Sequence, residues 1–193
     1  MELFDYAALT AWVDRLRVSD EDAAGEVEFL VRAISHKFAE LIAKNPRTLM
    51  SLEWRDLERT VARIMEGLGF SVVLTPPSKD GGKDLVLSFE ASNRETSYIV
   101  ELKQWRAGNR VGPDAVSSFL SVIVREQRSG GLFLSTSGYT QGAFEGLTEI
   151  QRRTLKFGAT EKIVALAKTY TRAEAGLWTP PAALDDILFE GTE

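Results

Sequence analysis

The sequence predicts an α/β sandwich built around a mixed central β-sheet. Short runs rich in β-branched and aromatic residues alternate with longer segments whose apolar residues recur at helical spacing. From residue 52 onward, the predicted order is helix, three strands, helix, strand, helix and strand, which is typical of a sheet covered by helices. The 193 residues are enough to bury a sizeable core without cross-links.

The composition excludes several kinds of active site. Apolar content of 44% and charged content of 26% are ordinary for a soluble globular protein. The sequence contains no cysteine, which rules out disulfides, thiol nucleophiles and cysteine-ligated zinc. His36 is the single histidine, and we expect it to be a surface or packed helix residue rather than a ligand. The first residues do not resemble a signal peptide and no apolar stretch approaches about 18 residues, so we expect a cytoplasmic protein without a membrane segment.

Charge is distributed unevenly along the chain. Residues 1–50 hold nine acids and six bases, residues 51–172 hold fourteen acids and seventeen bases, and residues 173–193 hold five acids and no base. Affinity for nucleic acid follows the number of phosphates that a protein neutralises. The weakly basic middle segment therefore predicts modest, salt-sensitive binding, or a second subunit that strengthens it.

Two helices are predicted before residue 46. Apolar residues recur at helical spacing between Phe4 and Leu16, and Ser19 followed by acids is a typical start for a second helix. The pair Asn45-Pro46 ends that helix. Its apolar stripe consists of Val27, Leu30, Val31, Ile34, Phe38, Leu41 and Ile42. We expect residues 1–50 to form a helical extension that packs on the core or on another copy of it.

The next segment is predicted to contain a helix and three strands. The helix runs from Leu52 to Gly67, where glycines end it. The strands are predicted at Phe70–Thr75, Asp84–Phe89 and Tyr98–Lys103, and the polar residues 91–96 form the turn of a hairpin between the last two.

The remaining elements are predicted to alternate. A helix is expected from Ala115 to Gln127 and a fourth strand from Gly131 to Ser135. A further helix from Gln141 to Lys156 and a fifth strand from Lys162 to Ala167 follow. Residues 173–193 are expected to end in a short helix or to remain loose.

The third strand carries the residues that point to chemistry. Side chains alternate across a strand, so Glu101 and Lys103 face the same side. Asp84 opens the neighbouring strand of the same hairpin, and where the register permits, its carboxylate and that of Glu101 could share one ion. Two such carboxylates repel unless a cation neutralises them, and hard oxygen ligands suit Mg²⁺. With the Lys103 ammonium beside them, these are parts for phosphodiester hydrolysis.

A simpler explanation exists for each half of this pattern. Glu-x-Lys on a strand is commonly a solvated, cross-paired surface, and Asp-Gly-Gly is commonly only a turn. The combination is less common by chance, because Asp80-Gly-Gly-x-Asp84 precedes a strand, a turn and Glu101-x-Lys103 in one short segment.

An ordered set of motifs resembles the catalytic domain of the Mrr restriction-endonuclease family, a branch of the PD-(D/E)xK nucleases. The resemblance covers about Leu52 to Ala143. The motifs that carry it are Leu57-Glu58 with Gly67-Leu-Gly-Phe70, Asp80-Gly-Gly-Lys-Asp84, Glu101-Leu-Lys103 with Gln104-Trp105, Val111-Gly112, and Ser135-Thr-Ser-Gly-Tyr-Thr140. It implies a restriction-endonuclease-like, three-layer sandwich.

The resemblance also implies roles for individual residues. Asp84 and Glu101 would bind the metal, with the Leu102 backbone carbonyl as a third ligand, and Lys103 would be the catalytic lysine. Many members of the family have glutamine where this chain has Glu101. The additional carboxylate is expected to tighten metal binding.

A second group of residues is implied to support catalysis. Glu58 would be an acid supplied by the first helix of the domain, acting through a water or a second ion. Its alternative is an exposed helix acid that pairs with Arg55 or Arg59. The resemblance further implies substrate-lining residues, for which ordinary strand-end hydrogen bonding is the alternative. They are Gln104, Ser135 and Thr136.

The activity implied is Mg²⁺-dependent cleavage of DNA by an endonuclease of bacterial restriction or anti-phage defence, with Mn²⁺ as a substitute ion. The chain is accordingly divided into a helical extension (1–50), a nuclease domain (51–172) and an acidic carboxyl-terminal tail (173–193).

Two alternatives remain open. The chain could be a binding or scaffold subunit on a nuclease fold, active only with a protein partner, or the same site could resolve junctions or cut RNA. We also predict a homodimer, because nucleases of this kind often cut two strands with two sites and the apolar stripe on residues 27–42 could pair. A protein partner that supplies target recognition is a further possibility.

Overall fold

The structure is a computed structural model that describes four stretches of the chain, residues 20–76, 81–91, 94–104 and 109–192. The helix predicted from Phe4 to Leu16 lies outside these residues, as do Asp80 and Trp105 of the motifs. The chain divides into two units, Met1–Ile34 and Ser35–Glu193. Among the described residues, every helix is too short or too polar to cross a membrane.

The first described element is the helix α1 (Asp20–Lys44), which agrees with the second predicted helix. Its apolar stripe is buried at Ile42, whereas Val27 and Leu30 are more than half exposed. His36 also lies on this helix, and its Nδ1 is 2.7 Å from the hydroxyl of Tyr170, as expected for a packed helix residue.

A single mixed sheet of five strands forms the middle layer. The strands are β1 (Ser71–Leu74), β2 (Leu85–Ala91), β3 (Arg94–Lys103), β4 (Gly130–Ser135) and β5 (Leu155–Gly158). They lie in sequence order across the sheet. The pairs β1–β2 and β2–β3 are antiparallel, whereas β3–β4 and β4–β5 are parallel. The predicted mixed sheet is therefore confirmed.

Helices cover both faces of this sheet. They are α2 (Trp54–Gly67), α3 (Pro113–Arg125), α4 (Glu149–Thr154), α5 (Thr160–Glu174) and α6 (Asp185–Phe189), together with 3₁₀ turns at Pro46–Met50 and Gln141–Ala143. Because side chains alternate across a strand, the sheet buries two cores. Val100 and Leu132 pack with residues of α2 and α5 on one face, and Ile99 and Phe133 pack with residues of α3 on the other. The three-layer sandwich is confirmed.

The carboxyl-terminal half of the domain differs from the prediction in two places. The segment Gln141–Lys156 is a 3₁₀ turn, the short helix α4 and the start of β5, and the strand predicted at Lys162–Ala167 is instead part of α5. Five consecutive apolar residues misled the prediction, because such a run fits a buried strand as well as a helix. The buried positions recur at helical spacing, at Ile163, Leu166, Ala167 and Tyr170.

The hairpin is longer than predicted, and the acidic tail contains a packed helix. Strand β2 continues to Ala91 and β3 begins at Arg94, so most of the predicted turn belongs to strands.

Near the end of the chain, Ile187 and Leu188 of α6 are buried in the core that also contains α2 and α5. Apolar residues therefore extend the core into the acidic tail.

Candidate active site

Asp84 lies at the amino-terminal end of β2, directly beside the strand that carries Glu101. Its backbone N–H donates to the Val100 carbonyl at 2.9 Å, and its Oδ2 accepts from the Leu102 N–H at 2.6 Å. Val100 and Leu102 are the two neighbours of Glu101 in β3. Asp84 is thus bonded to the backbone on both sides of Glu101, and only 4% of its surface is exposed.

The turn before Asp84 needs two glycines because its backbone adopts angles that other residues rarely adopt. Gly81 and Gly82 have φ angles of 57° and 83°, in the left-handed region that favours glycine. A Cβ at Gly82 would also lie 3.1 Å from a methyl group of Val122. The turn brings the chain into β2 with the Asp84 side chain directed at the Leu102 N–H.

Ion pairs anchor the same turn to the carboxyl-terminal end of α3. The Lys83 ammonium lies 2.5 Å from Glu126 Oε1, and Arg128 contacts Glu126 Oε2 at 3.2 Å. The guanidinium of Arg125 donates to the Gly81 carbonyl at 3.0 Å. Sequence reasoning missed this network, because Lys83 and Glu126 are 43 residues apart and nothing local indicates that they meet.

Glu101 and Lys103 form an ion pair on β3, as expected for side chains that share one face. The Lys103 Nζ is 2.5 Å from Glu101 Oε1. The two differ in exposure, since 9% of the Glu101 side chain is accessible against 32% of that of Lys103. The carboxylate is therefore held inside the protein, while the ammonium reaches toward solvent.

Glu58 of α2 is fully buried, which contradicts the alternative of an exposed helix acid. Its Oε2 accepts from Nη1 of Arg55 at 2.5 Å, so the pairing with Arg55 that this alternative included is present. In the described part of the chain, Glu58 Oε1 has no hydrogen-bond partner. A buried acceptor without a donor is costly and uncommon in folded proteins.

The Glu58 carboxyl lies beside that of Asp84. Burial raises the pKa of Asp84 to about 7, and the Leu102 N–H opposes this rise. The neighbouring Glu58 carboxyl adds to it through a hydrogen bond with the protonated form of Asp84 and through its negative charge, and the Lys103 ammonium opposes it. Two ionised carboxylates offer acceptors and no donor to one another. A shared proton or a bound cation relieves their repulsion.

The donor set fits a hydrated Mg²⁺ better than an ion enclosed by protein. Within the described ranges, no three acidic or histidine side chains are grouped closely enough to hold a metal by themselves. Asp84 and Glu101 carry carboxylates on neighbouring strands. Glu58 of α2 has an oxygen without a hydrogen-bond partner among the described residues, and its carboxyl lies beside that of Asp84. Mg²⁺ commonly binds through one or two carboxylates and retains several waters.

Gln104 follows β3 and contacts the segment before α2. Its Nε2 donates to the carbonyls of Leu49 and Leu52 at 2.9 and 3.0 Å. The side-chain amide therefore ties the end of β3 to the 3₁₀ turn and to the residues that follow it. This contact matches the structural alternative for Gln104, and its role toward substrate stays a prediction.

Ser135 and Thr136 lie at the end of β4, next to Lys103. Ser135 is the register partner of Lys103, and the Thr136 N–H donates to the Lys103 carbonyl at 3.0 Å. The Ser135 hydroxyl is buried and donates to the Gly138 carbonyl at 3.1 Å. These contacts close the strand end, and a substrate role for the two residues stays a prediction.

The fold and this arrangement define an α/β domain with acids and a lysine at one end of a mixed sheet. The family model Mrr_cat, described as "Restriction endonuclease", matches residues 49–170. The chain belongs to this restriction endonuclease family, as the motifs predicted.

One curated relative is similar over nearly the whole chain. It is the "Uncharacterized protein y4cE" of Sinorhizobium fredii (strain NBRC 101917 / NGR234), 49% identical over 189 residues that make up 98% of this chain. The chain spans about half of that relative, 48% of its length.

Solved structures of restriction endonucleases are also similar to the chain. The "DNA modification-dependent restriction endonuclease AspBHI" has a TM-score of 0.47 and 22% identity, covering 76% of this chain and 38% of that one. MspJI restriction endonuclease in complex with a 27-mer oligonucleotide has a TM-score of 0.43 and 19% identity, covering 89% of this chain and 35% of that one.

Proposed function

We propose that this chain hydrolyses phosphodiester bonds in DNA as a divalent-metal-dependent endonuclease. The observation that carries the proposal is the position of Asp84, bonded to the backbone on both sides of Glu101 and close to Lys103 and the buried Glu58. Membership of a restriction endonuclease family supports DNA as the substrate. Mg²⁺ is the expected ion, and Mn²⁺ is expected to substitute.

In this proposal, the metal is held by the carboxylates of Asp84 and Glu101 and by the Leu102 carbonyl. Glu58 contributes its unmatched oxygen, directly or through a water. When bound, the ion polarises the phosphate and lowers the pKa of an attacking water. The protein excludes bulk water from the two ligating carboxylates by burying them, which strengthens their attraction for a cation.

Lys103 is assigned the stabilisation of charge on the phosphate. Its ammonium is paired with Glu101 and 32% of its side chain is accessible, so we propose that an arriving phosphate oxygen accepts a hydrogen bond from it. A fixed cation at this position favours the transition state because negative charge increases on the phosphate oxygens. Gln104, Ser135 and Thr136 are proposed to contact the nucleic acid along the adjoining strand ends.

The biological setting that we propose is bacterial restriction or anti-phage defence in the cytoplasm. The mildly basic segment 51–172, with fourteen acids and seventeen bases, supports weak, salt-sensitive binding of DNA by the chain alone. A protein partner or a second copy would then strengthen binding. The domain boundaries proposed from the sequence, 1–50, 51–172 and 173–193, are retained with the nuclease activity assigned to the middle segment.

A plasmid assay tests the function. Supercoiled DNA, with and without modified bases, is incubated with the protein and Mg²⁺ or Mn²⁺, and with EDTA as a control. We expect metal-dependent nicking by the wild type, none by Asp84→Ala or Lys103→Ala, and unchanged nicking by Lys168→Ala, which removes an exposed lysine of α5. If the wild type cuts no DNA, or if Lys103→Ala cuts as well as the wild type, the proposal fails.

Exposed apolar side chains support the second possibility, a subunit that works with a partner or as a homodimer. Phe29 and Leu30 of α1 are 69% and 51% exposed, which is unusual for adjacent large apolar residues. Light scattering distinguishes a monomer from a dimer. An inactive monomer that gains nuclease activity only with a partner protein would favour the subunit over the self-sufficient enzyme, and RNA and junction substrates test the remaining alternatives.

A further inference from the structure

Arg55 connects three parts of the candidate site through one nitrogen atom. Its Nη1 donates to Glu58 Oε2 at 2.5 Å and to the Thr75 carbonyl at 3.0 Å. Thr75, which follows β1, donates its own N–H to the Asp84 carbonyl at 2.8 Å. A guanidinium Nη carries two hydrogens in a fixed plane. With both acceptors bound, the orientation of Arg55 relative to α2 and β1 is determined.

The contact with Arg55 decides which carboxylate oxygen of Glu58 remains available to bind a ligand. Glu58 is completely buried, and a buried carboxylate needs a counter-charge or hydrogen bonds to remain in the fold. Arg55 satisfies Oε2, and within the described residues Oε1 has no hydrogen-bond partner. The carboxyl also lies beside Asp84. The guanidinium thus leaves one oxygen of Glu58 without a hydrogen-bond partner among the described residues, in a carboxyl that lies beside Asp84.

We propose that Arg55 is a positioning residue for the cation site, holding Glu58 so that its unmatched oxygen contributes to binding of a divalent ion. The inference rests on the proposed function, because it takes Asp84 and Glu101 as the ion's ligands. Arg55 itself does not touch the ion or the substrate. It acts through Glu58, in the way that residues behind metal ligands commonly orient them.

Two effects of removing Arg55 oppose each other. Loss of a nearby positive charge favours a cation, whereas loss of the two fixed hydrogen bonds lets the Glu58 side chain turn away. The guanidinium binds Glu58 Oε2, so it repels an ion at Oε1 over a longer distance than that over which the Glu58 carboxylate attracts it. Loss of orientation therefore dominates, and partners of this kind typically contribute about 10- to 100-fold to metal affinity.

Mn²⁺ binding, measured by electron paramagnetic resonance without substrate, tests the inference. We expect Arg55→Met to weaken binding at least about tenfold and Arg55→Lys, which keeps the charge but not the planar fork, by about threefold. Arg59→Met is the matched control, because Arg59 pairs with Asp56 on the same helix at 3.4 Å and is expected to leave binding unchanged.

The Glu58→Gln background distinguishes positioning from a general structural role. If Arg55 acts through Glu58, then Arg55→Met and Arg55→Lys have no further effect on Mn²⁺ affinity once Glu58 is replaced. The double variant also removes the buried charge that Arg55→Met leaves unpaired. Arg55→Lys retains a cation for Glu58, so the comparison holds even if Arg55→Met fails to fold.

The outcomes separate this inference from the proposed function. Wild-type protein that binds no Mn²⁺, or binds it equally well after Asp84→Ala, would overturn both. If the wild type binds Mn²⁺ through Asp84, three results overturn the inference alone. They are unchanged affinity in the Arg55 variants that fold, tighter binding in them, and an equal loss with and without Glu58.

Discussion

Two buried charged groups of this protein, Lys162 and Glu58, differ in how fully their polar atoms are matched. The Lys162 Nζ donates to the carbonyls of Ile187 and Glu190 at 2.7 and 2.5 Å, at the end of α6. A lysine there satisfies carbonyls that the last helical turn leaves without donors. Glu58 has one oxygen bound by Arg55 and one without a hydrogen-bond partner among the described residues.

Burial acts on both regions in the same physical way. It lowers the pKa of Lys162 to about 8 and raises that of Asp84 to about 7, because a low-dielectric interior disfavours the charged form of either group. The difference lies in the remaining partners. The Lys162 ammonium donates hydrogen bonds to neutral backbone carbonyls, whereas the Asp84 carboxyl lies beside a second acid, Glu58. We infer that the contacts of Lys162 stabilise the fold, whereas the acids around Asp84 are arranged to bind a cation.

The largest difference is expected in catalysis. Asp84→Asn keeps the size of the side chain but removes the charge that would hold a metal, so DNA cleavage should fall at least about a hundredfold. Lys162→Met should cleave at the wild-type rate, once the folded fraction is taken into account. Rates of plasmid nicking at saturating Mg²⁺ measure both. Cleavage by Asp84→Asn within tenfold of the wild type would remove the distinction between the two regions.

The next effect is on the free energy of unfolding, and here the variant of Lys162 is the one expected to change. Lys162→Met leaves the carbonyls of the buried Ile187 and of Glu190 without this donor, and we expect the free energy of unfolding to fall by about 2 kcal/mol. Urea denaturation in EDTA gives this value. Lys168→Met, at an exposed position of α5, is the control and should change it by less than about 0.5 kcal/mol. Equal stability of the two variants would show that the Lys162 contacts do not hold the carboxyl-terminal segment.

Binding of Mg²⁺ should stabilise the folded protein through Asp84 and should not require Lys162. At a concentration ten times the dissociation constant, a ligand bound only by the folded state adds about 1.4 kcal/mol. We expect that gain in the wild type and in Lys162→Met but not in Asp84→Asn. Thermal unfolding with Mg²⁺ and with EDTA measures it. A gain that survives Asp84→Asn would locate the ion elsewhere.

A further difference is the dependence of stability on pH without metal. The pKa of Asp84 is raised in the folded state, so the folded protein holds the proton more tightly than the unfolded chain. The resulting stability is fully present below about pH 4 and is lost as the pH rises through about 7. Urea midpoints in EDTA should therefore decline more between pH 5 and about 8 in the wild type than in Asp84→Asn. Parallel profiles would contradict the raised pKa.

Local patterns predicted much of the fold and the candidate site. Strand alternation placed Glu101 and Lys103 on one face, and the glycine-rich turn placed Asp84 at the start of the neighbouring strand. Both patterns depend on residues close together in the chain, where backbone geometry alone fixes the direction of side chains. The prediction failed at Lys162–Ala167, because a short apolar run has no periodicity that separates a strand from a helix.

The amino-acid sequence by itself determined the mixed α/β sandwich, the family and the acids and lysine of the hairpin. Tertiary structure alone decided that Glu58 is buried with an unmatched oxygen, that Arg55 also binds the end of β1, and that Lys162 closes a helix near the end of the chain. These contacts join residues about 20 or more positions apart. They form because packing of the helices on the sheet removes water from polar groups, which must then find partners or a ligand within the protein.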